Sequence, residues 1–198
     1  MIRVGITGNM GSGKSLVCSI FEKLGISVFQ ADKVAAALYN KAEVRIKLER
    51  QFGNGFFDEK GMLNKVKLAE KIFSDQEALR FVEELIHPLV RQSFSEWTEA
   101  LSNNPYVLYE AAILIETGHY KLMDKLIYVA ANEELRFERI RERDSFSPNQ
   151  IRNRMSKQWP DEQKIHLADF VINNNQELLL IPQVLDIHQN LIKSNTGY

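Results

Sequence analysis

Eight residues near the N-terminus constrain this chain more than any other stretch. Gly8-Asn9-Met10-Gly11-Ser12-Gly13-Lys14-Ser15 matches the pattern G-x-x-x-x-G-K-[ST] in full. Its glycines let backbone N–H groups approach an anion with no Cβ in the way. The pattern carries meaning where a strand ends and a helix begins, and both neighbours fit. Ile2 to Thr7 is short, apolar and β-prone, and Val17 to Leu24 has helical spacing that stops at Gly25, a good C-cap residue. Such a loop, backed by a helix N-terminus, forms a positive nest for a β-phosphate. Lys14 is expected to reach the β- and γ-phosphates, and Ser15 to place its hydroxyl on Mg²⁺.

The rest of the chain repeats the strand–helix alternation. Further strands are expected at Ser27 to Gln30, Tyr106 to Ala111, Lys125 to Ala130 and Asp169 to Asn173. Helices are expected after Asp32, over Glu133 to Asp144, over Pro148 to Lys157, and in the tail to about Lys193. From about Ala42 to Asn103 the pattern is mostly helical, broken at Gly53-Asn54-Gly55 and at Glu59-Lys60-Gly61. Alternation of this kind implies a parallel sheet covered on both faces, an α/β fold, with the long helical stretch as an insertion able to carry substrate specificity.

Composition narrows the function classes. The formal charge is −1, so no global basic field argues for nucleic acid as the main partner. Cys18 is the one cysteine, so no intrachain disulfide is possible, and its apolar setting reads as inert packing. The four histidines lack metal-ligand spacing, and no apolar run approaches the ~18 residues of a membrane span. The N-terminus leads straight into a strand pattern, so a reducing cytoplasm is the expected setting, with no obligate protein partner. The guanine-reading N-K-x-D pattern is absent, which argues against a GTPase, whereas Tyr106 to Glu110 can be read as the acidic-ended strand of an ATPase switch.

Other residues carry two readings each. Asp32, after the second strand, is either a helix N-cap or a carboxylate at the ligand-binding edge of the sheet that accepts a hydroxyl proton. Arg136, Arg139 and Arg143 fall on one helical stripe, as a solvated face or as guanidiniums of a lid over a transferring phosphoryl group. Arg152, Arg154 and Lys157 suit a mobile lid. His87-Pro88 reads as a packing kink or interruption in a helix, and Trp97 and Trp159 as core or lid-packing residues. Asn173-Asn174-Asn175 reads as a polar strand-to-helix turn or a nucleobase contact.

Together these residues resemble the dephospho-CoA kinase family. Gln30-Ala31-Asp32 stands where the family has D-A-D, His87-Pro88-Leu89-Val90-Arg91 matches H-P-L-[IV]-R, and Ala112 to Glu116 is a changed P-L-L-F-E. Arg139 to Asp144 matches R-x-x-x-R-D, and Ala168 to Asn174 matches A-D-[YFV]-V-I-x-N. The correspondence runs from about residue 2 to 175 in order. It departs at Leu16, at Gln30, at Ala112 and at Ile115, where the family has threonine, aspartate, proline and phenylalanine.

The resemblance implies a P-loop, nucleoside-kinase-like three-layer sandwich with a parallel five-stranded sheet. The core would span about 1–40, 104–132 and 166–198, a helical acceptor-binding insertion about 41–103, and a helical lid about 133–165. It implies transfer of the γ-phosphoryl of ATP, with Mg²⁺, to the ribose 3′-hydroxyl of dephospho-CoA. By the same resemblance Asp32 is the catalytic base, assisted by Lys14, Arg139 and Arg143. ATP contacts are expected from Gly8, Asn9, Met10, Gly11, Ser12, Gly13, Lys14, Ser15, Leu16 and Asn174. Acceptor contacts are expected from Asp32, His87, Arg91, Leu114 and Glu116. The alternatives are another P-loop nucleotide or metabolite kinase and a regulatory ATP-binding module.

Overall fold

The structure is a computed structural model that describes residues 1–58, 61–101 and 104–195. The expected break at Glu59-Lys60 and the expected end of the insertion at Asn103 lie outside the described residues. The chain divides into two compact units, Met1–Gln30 with Asn103–Tyr198, and Ala31–Ser102.

The first unit is built on a five-stranded, all-parallel sheet. Its centre is β1 (Ile2–Thr7), flanked by β3 (Tyr106–Glu110) and β4 (Lys125–Ala130), with β2 (Val28–Gln30) outside β3 and β5 (Phe170–Asn173) outside β4. Register sets Ile6 beside Glu110, Thr7 beside Tyr128, and Gln30 beside Glu110. The carboxyl end of β1 therefore lies where neighbouring connections diverge, the crevice where open α/β sheets bind ligands.

Alternate residues of the strands face one core. Val4, Ile6, Tyr106, Leu108, Ile127, Val129 and Ile172 pack with Val17, Cys18 and Phe21 of α1 (Lys14–Lys23). Val184, Ile187 and Leu191 of the C-terminal helix (Leu180–Asn195) complete the cluster. Truncating a fully buried Phe21 in such a core costs about 3–5 kcal/mol. β5 starts one residue later than expected because Asp169 is used as a strap, accepting from Leu126 N at 2.8 Å and from Lys125 Nζ at 2.8 Å.

In the second unit the segments are α2 (Ala31–Leu38), α3 (Ala42–Phe52), α4 (Lys65–Ser74) and α5 (Gln76–Glu99). Two expectations are corrected here. Asp32 is not an N-cap: α2 begins directly at Ala31, so Asp32 sits in the first turn, where a carboxylate favours the helix dipole. Nor does Pro88 interrupt its helix. α5 runs through it, with Ala78, Val82, Ile86, Val90, Phe94 and Thr98 forming one buried stripe. Pro88 and Glu84, whose carbonyl loses its partner, are both exposed, so water can replace the missing N–H. Trp97 stacks on Phe94 at 6.0 Å within this unit.

The remaining helices belong to the first unit: α6 (Glu133–Arg143), α7 (Pro148–Met155), α8 (Asp161–Ile165) and α9, the C-terminal helix already given. Ser147 and Gln150 form a capping box at the start of α7, which fixes the turn after Asp144. Ile140, Ile151 and Met155 make a small separate core, with Met10, Phe137 and Phe146 against it. Among the described residues no helix is long and apolar enough to cross a membrane.

Candidate active site

The glycine-rich loop leaves β1 and enters α1 as its sequence demands. A Cβ on Gly8 would lie 2.7 Å from Ser12 Oγ and closer still to the Val129 carbonyl, so only glycine fits there. Gly13 adopts φ 92° ahead of α1, and the Asn174 amide lies where its side chain would be. Lys14 Nζ donates to the Gly8 carbonyl at 2.6 Å, folding back over the loop. Ser12 N donates to Asn9 O at 3.0 Å, and Leu16 N to Gly13 O at 3.0 Å. Ser12 Oγ is buried with no hydrogen-bond partner among the described residues, while Ser15 is exposed in the first turn of α1.

Asn174, at the end of β5, braces the other side. Its Nδ2 donates to Ser12 O at 2.7 Å and its backbone N to Ala130 O at 2.8 Å. Arg139 ties the two together, donating to Gly11 O at 3.3 Å and to Asn174 O at 3.0 Å. Burial lowers Arg139 from its usual value.

The arginines that helical spacing sets on one stripe have different environments. Arg136 is buried at 7% exposure, facing Asp161 at 3.5 Å with its Nε unpartnered among the described residues. Arg143 is exposed and held bidentately by Asp144, at 3.0 and 2.8 Å. That carboxylate raises Arg143 above, and is itself lowered below, the usual value. Arg152 and Arg154 lie over the rings of Phe137 and Phe146, at 5.4 and 4.1 Å.

A polar cluster that the sequence does not announce sits on the first residues of the loop. Met10 N donates to Gln158 Oε1 at 2.7 Å, and Asn9 Nδ2 to the Trp159 carbonyl at 3.1 Å and to Asp161. Lys164, at 0% exposure, donates to Asn9 Oδ1 at 2.6 Å and to Glu116. Burial, and then the Asp161 carboxylate, raise the Tyr128 phenol nearby. Trp159 is 43% exposed, so it is not a core residue, and its carbonyl makes the contact. No periodicity marks Lys164: its partner Asn9 is 155 residues away.

Of the residues expected on the acceptor side, Leu114 is buried and Glu116 is engaged by Lys164, with its Oε2 buried and unpartnered among the described residues. Asp32, His87 and Arg91 belong to the second unit. There His87 and Arg91 line a cleft of about 370 Å³ with Arg80, Glu83, Glu84 and Pro88. Burial, and then the Arg91 charge, lower His87. Cys18 lies on the buried face of α1, its thiol pushed up to about 12 by burial and then by Glu110 and Glu22.

Comparison with known proteins adds what geometry alone does not. The family model described as dephospho-CoA kinase matches residues 2–179. A dephospho-CoA kinase from Aquifex aeolicus is 40% identical over 176 residues, covering 88% of this chain and 89% of its own. A crystal structure from Thermus thermophilus superposes with a TM-score of 0.87 at 32% identity, covering 96% of each chain. A dephospho-CoA kinase from Campylobacter jejuni superposes with a TM-score of 0.72 at 26% identity, covering 98% of each. A complete glycine-rich loop at the carboxyl edge of a 2-3-1-4-5 sheet, with matches spanning nearly the whole chain, leaves one assignment: the chain belongs to the dephospho-CoA kinase family.

Proposed function

We propose that this chain transfers the γ-phosphoryl of ATP to the ribose 3′-hydroxyl of dephospho-CoA, giving CoA and ADP. The observation that carries the reading is the intact loop, with Lys14 and Ser15 in place, inside a family match that spans residues 2–179. The 3′-oxygen attacks the γ-phosphorus, its proton passes to Asp32, and the bond from phosphorus to the β-bridging oxygen breaks, leaving ADP. Asp32 is an acid residue two positions beyond β2, and Gln30 cannot replace it as a base.

The loop supplies electrostatic stabilisation. The N–H of Met10 donates to Gln158 and the side-chain amide of Asn9 to the Trp159 carbonyl, so in this reading phosphate contact falls chiefly on the loop from Gly11 onward, where the Ser12 N–H exchanges the Asn9 carbonyl for phosphate. Lys14 exchanges the Gly8 carbonyl for phosphate oxygens, and the buried Ser12 hydroxyl, which has no hydrogen-bond partner among the described residues, suits an acceptor oxygen in the loop. Arg139 is positioned at the Gly11 and Asn174 carbonyls. Arg143 acts only on leaving Asp144, consistent with a lid over about 133–165.

Among the described residues no group of three or more His, Cys, Asp or Glu is arranged to hold a metal. Mg²⁺ keeps waters and takes phosphate oxygens with few protein ligands, and Ser15, exposed in the first turn of α1, is the hydroxyl that would hold it. The ion would neutralise charge developing on the phosphates. His87, Arg91, Leu114 and Glu116 are assigned to the acceptor.

The test is ADP release with Mg·ATP, alone and with dephospho-CoA, AMP or adenosine. Stimulation by dephospho-CoA alone supports the reading. Stimulation by another acceptor alone moves the chain to another substrate, and flat hydrolysis with every acceptor points to a regulatory module.

A further inference from the structure

The segment after α7 holds the mouth of the glycine-rich loop through four side-chain or carbonyl contacts, and one residue joins that grip to the segment after β3. Asn9 is 2% exposed and all of its amide is engaged: Nδ2 by the Trp159 carbonyl and Asp161, Oδ1 by Lys164. Met10 N is engaged by Gln158. Lys164 reaches Glu116 with the same ammonium that holds Asn9. A fully buried ammonium is costly to desolvate and is retained only with partners of good geometry. Here those partners are an amide of the loop and a carboxylate on the segment after β3.

We propose that Lys164 is a positioning residue, holding the Asn9 end of the loop in its phosphate-ready shape before nucleotide arrives. The inference rests on the reading of that loop as the nucleotide site. Without the ammonium, Asn9 Oδ1 and Glu116 Oε1 lose their donor, and the loop mouth is held from one side only. The loop then samples conformations in which Gly11 to Ser15 do not converge on one anion. A ligand that binds only the convergent form has its apparent affinity reduced by the fraction of time that form is populated, so a fall to about a tenth weakens binding about tenfold. Saturating ligand restores the competent form, so the effect falls on KM for ATP and on ADP affinity, and spares kcat.

The experiment compares the wild-type chain with Lys164→Met and with the double variant Lys164→Met/Glu116→Gln. The double variant removes both charges, so no unpaired ion is left buried. Calorimetric titration with ADP, the melting temperature, and kcat and KM for ATP are measured for each. The expected result is an ADP Kd raised about tenfold in both variants, and for Lys164→Met an ATP KM raised about tenfold with kcat within about threefold of wild type; the double variant is read on ADP affinity alone, because Glu116 is assigned to the acceptor. ADP affinity within about twofold of wild type in the double variant overturns the proposal, as does a fall in kcat at unchanged KM in Lys164→Met. If the single variant fails to fold, the double decides the matter on ADP affinity alone. A wild-type chain that binds ADP but ignores dephospho-CoA removes the acceptor assignment and leaves this inference standing, while one that binds no ADP overturns the loop reading itself.

Discussion

Gly8→Ala is the substitution whose consequence follows most directly from the structure. The new Cβ would meet Ser12 Oγ at 2.7 Å on one side and the Val129 carbonyl on the other. Val129 is fully buried in the sheet beside β1 and cannot yield, so the loop must. Recovering ordinary van der Waals separation from Ser12 takes a shift of about 0.7 Å. Overpacking of this kind costs about 1–3 kcal/mol, and in a chain of this size each kcal/mol lowers Tm by about 2–4 °C. The functional loss is larger, because a displacement of about 1 Å in a positioned group costs on the order of 10²-fold in rate. The assay is thermal unfolding together with ADP titration and turnover, beside Gly55→Ala, where an added Cβ meets nothing within 4 Å. The reasoning is refuted if Gly8→Ala binds ADP and turns over as the wild type does.

Three other perturbations separate the parts of the account. Asp32→Asn should leave ADP affinity intact and lower acceptor-dependent turnover by about 10²-fold or more, measured by rapid quench; unchanged turnover removes Asp32 as the base. Cys18, with its thiol pushed up to about 12, should resist a thiol-reactive dye at pH 8 in the native chain and react fully once denatured; rapid native labelling contradicts its placement. Asp75 caps α5, accepting from Glu77 N and Ala78 N, and its carboxyl lies below the usual value, chiefly through Lys71. A depressed folded-state value contributes stability above the unfolded value and loses it as pH falls, so the Tm deficit of Asp75→Ala should be larger at pH 7 than at pH 3. An equal deficit at both pH values would show that the carboxylate charge is not what stabilises the cap.

The parts of the fold legible in the sequence are those written in local terms. The loop pattern between Thr7 and Lys14, Gly25 behind α1, and the apolar runs of β1 and β4 each combine a short-range signal with one structural outcome. Where the reading of a residue turned on surroundings, it failed or stayed divided. Pro88 looks like a helix breaker, yet the helix persists because that position faces water. Asp32 has cap chemistry, but β2 passes into α2 with no residue to spare. The stripe of Arg136, Arg139 and Arg143 is a fact of helical spacing, while their environments differ because Asp161, the loop carbonyls and Asp144 lie at different heights along it. Lys164 is the extreme case. Nothing within its own turn of helix explains its burial, and both partners arrive from far along the chain.

The catalytic claim is tested most directly by following the label from γ-labelled ATP in the presence of dephospho-CoA and Mg²⁺. The account predicts that label appears on the ribose 3′-oxygen of the product, in equal amount to ADP. Label recovered as inorganic phosphate, with dephospho-CoA unchanged, would contradict it.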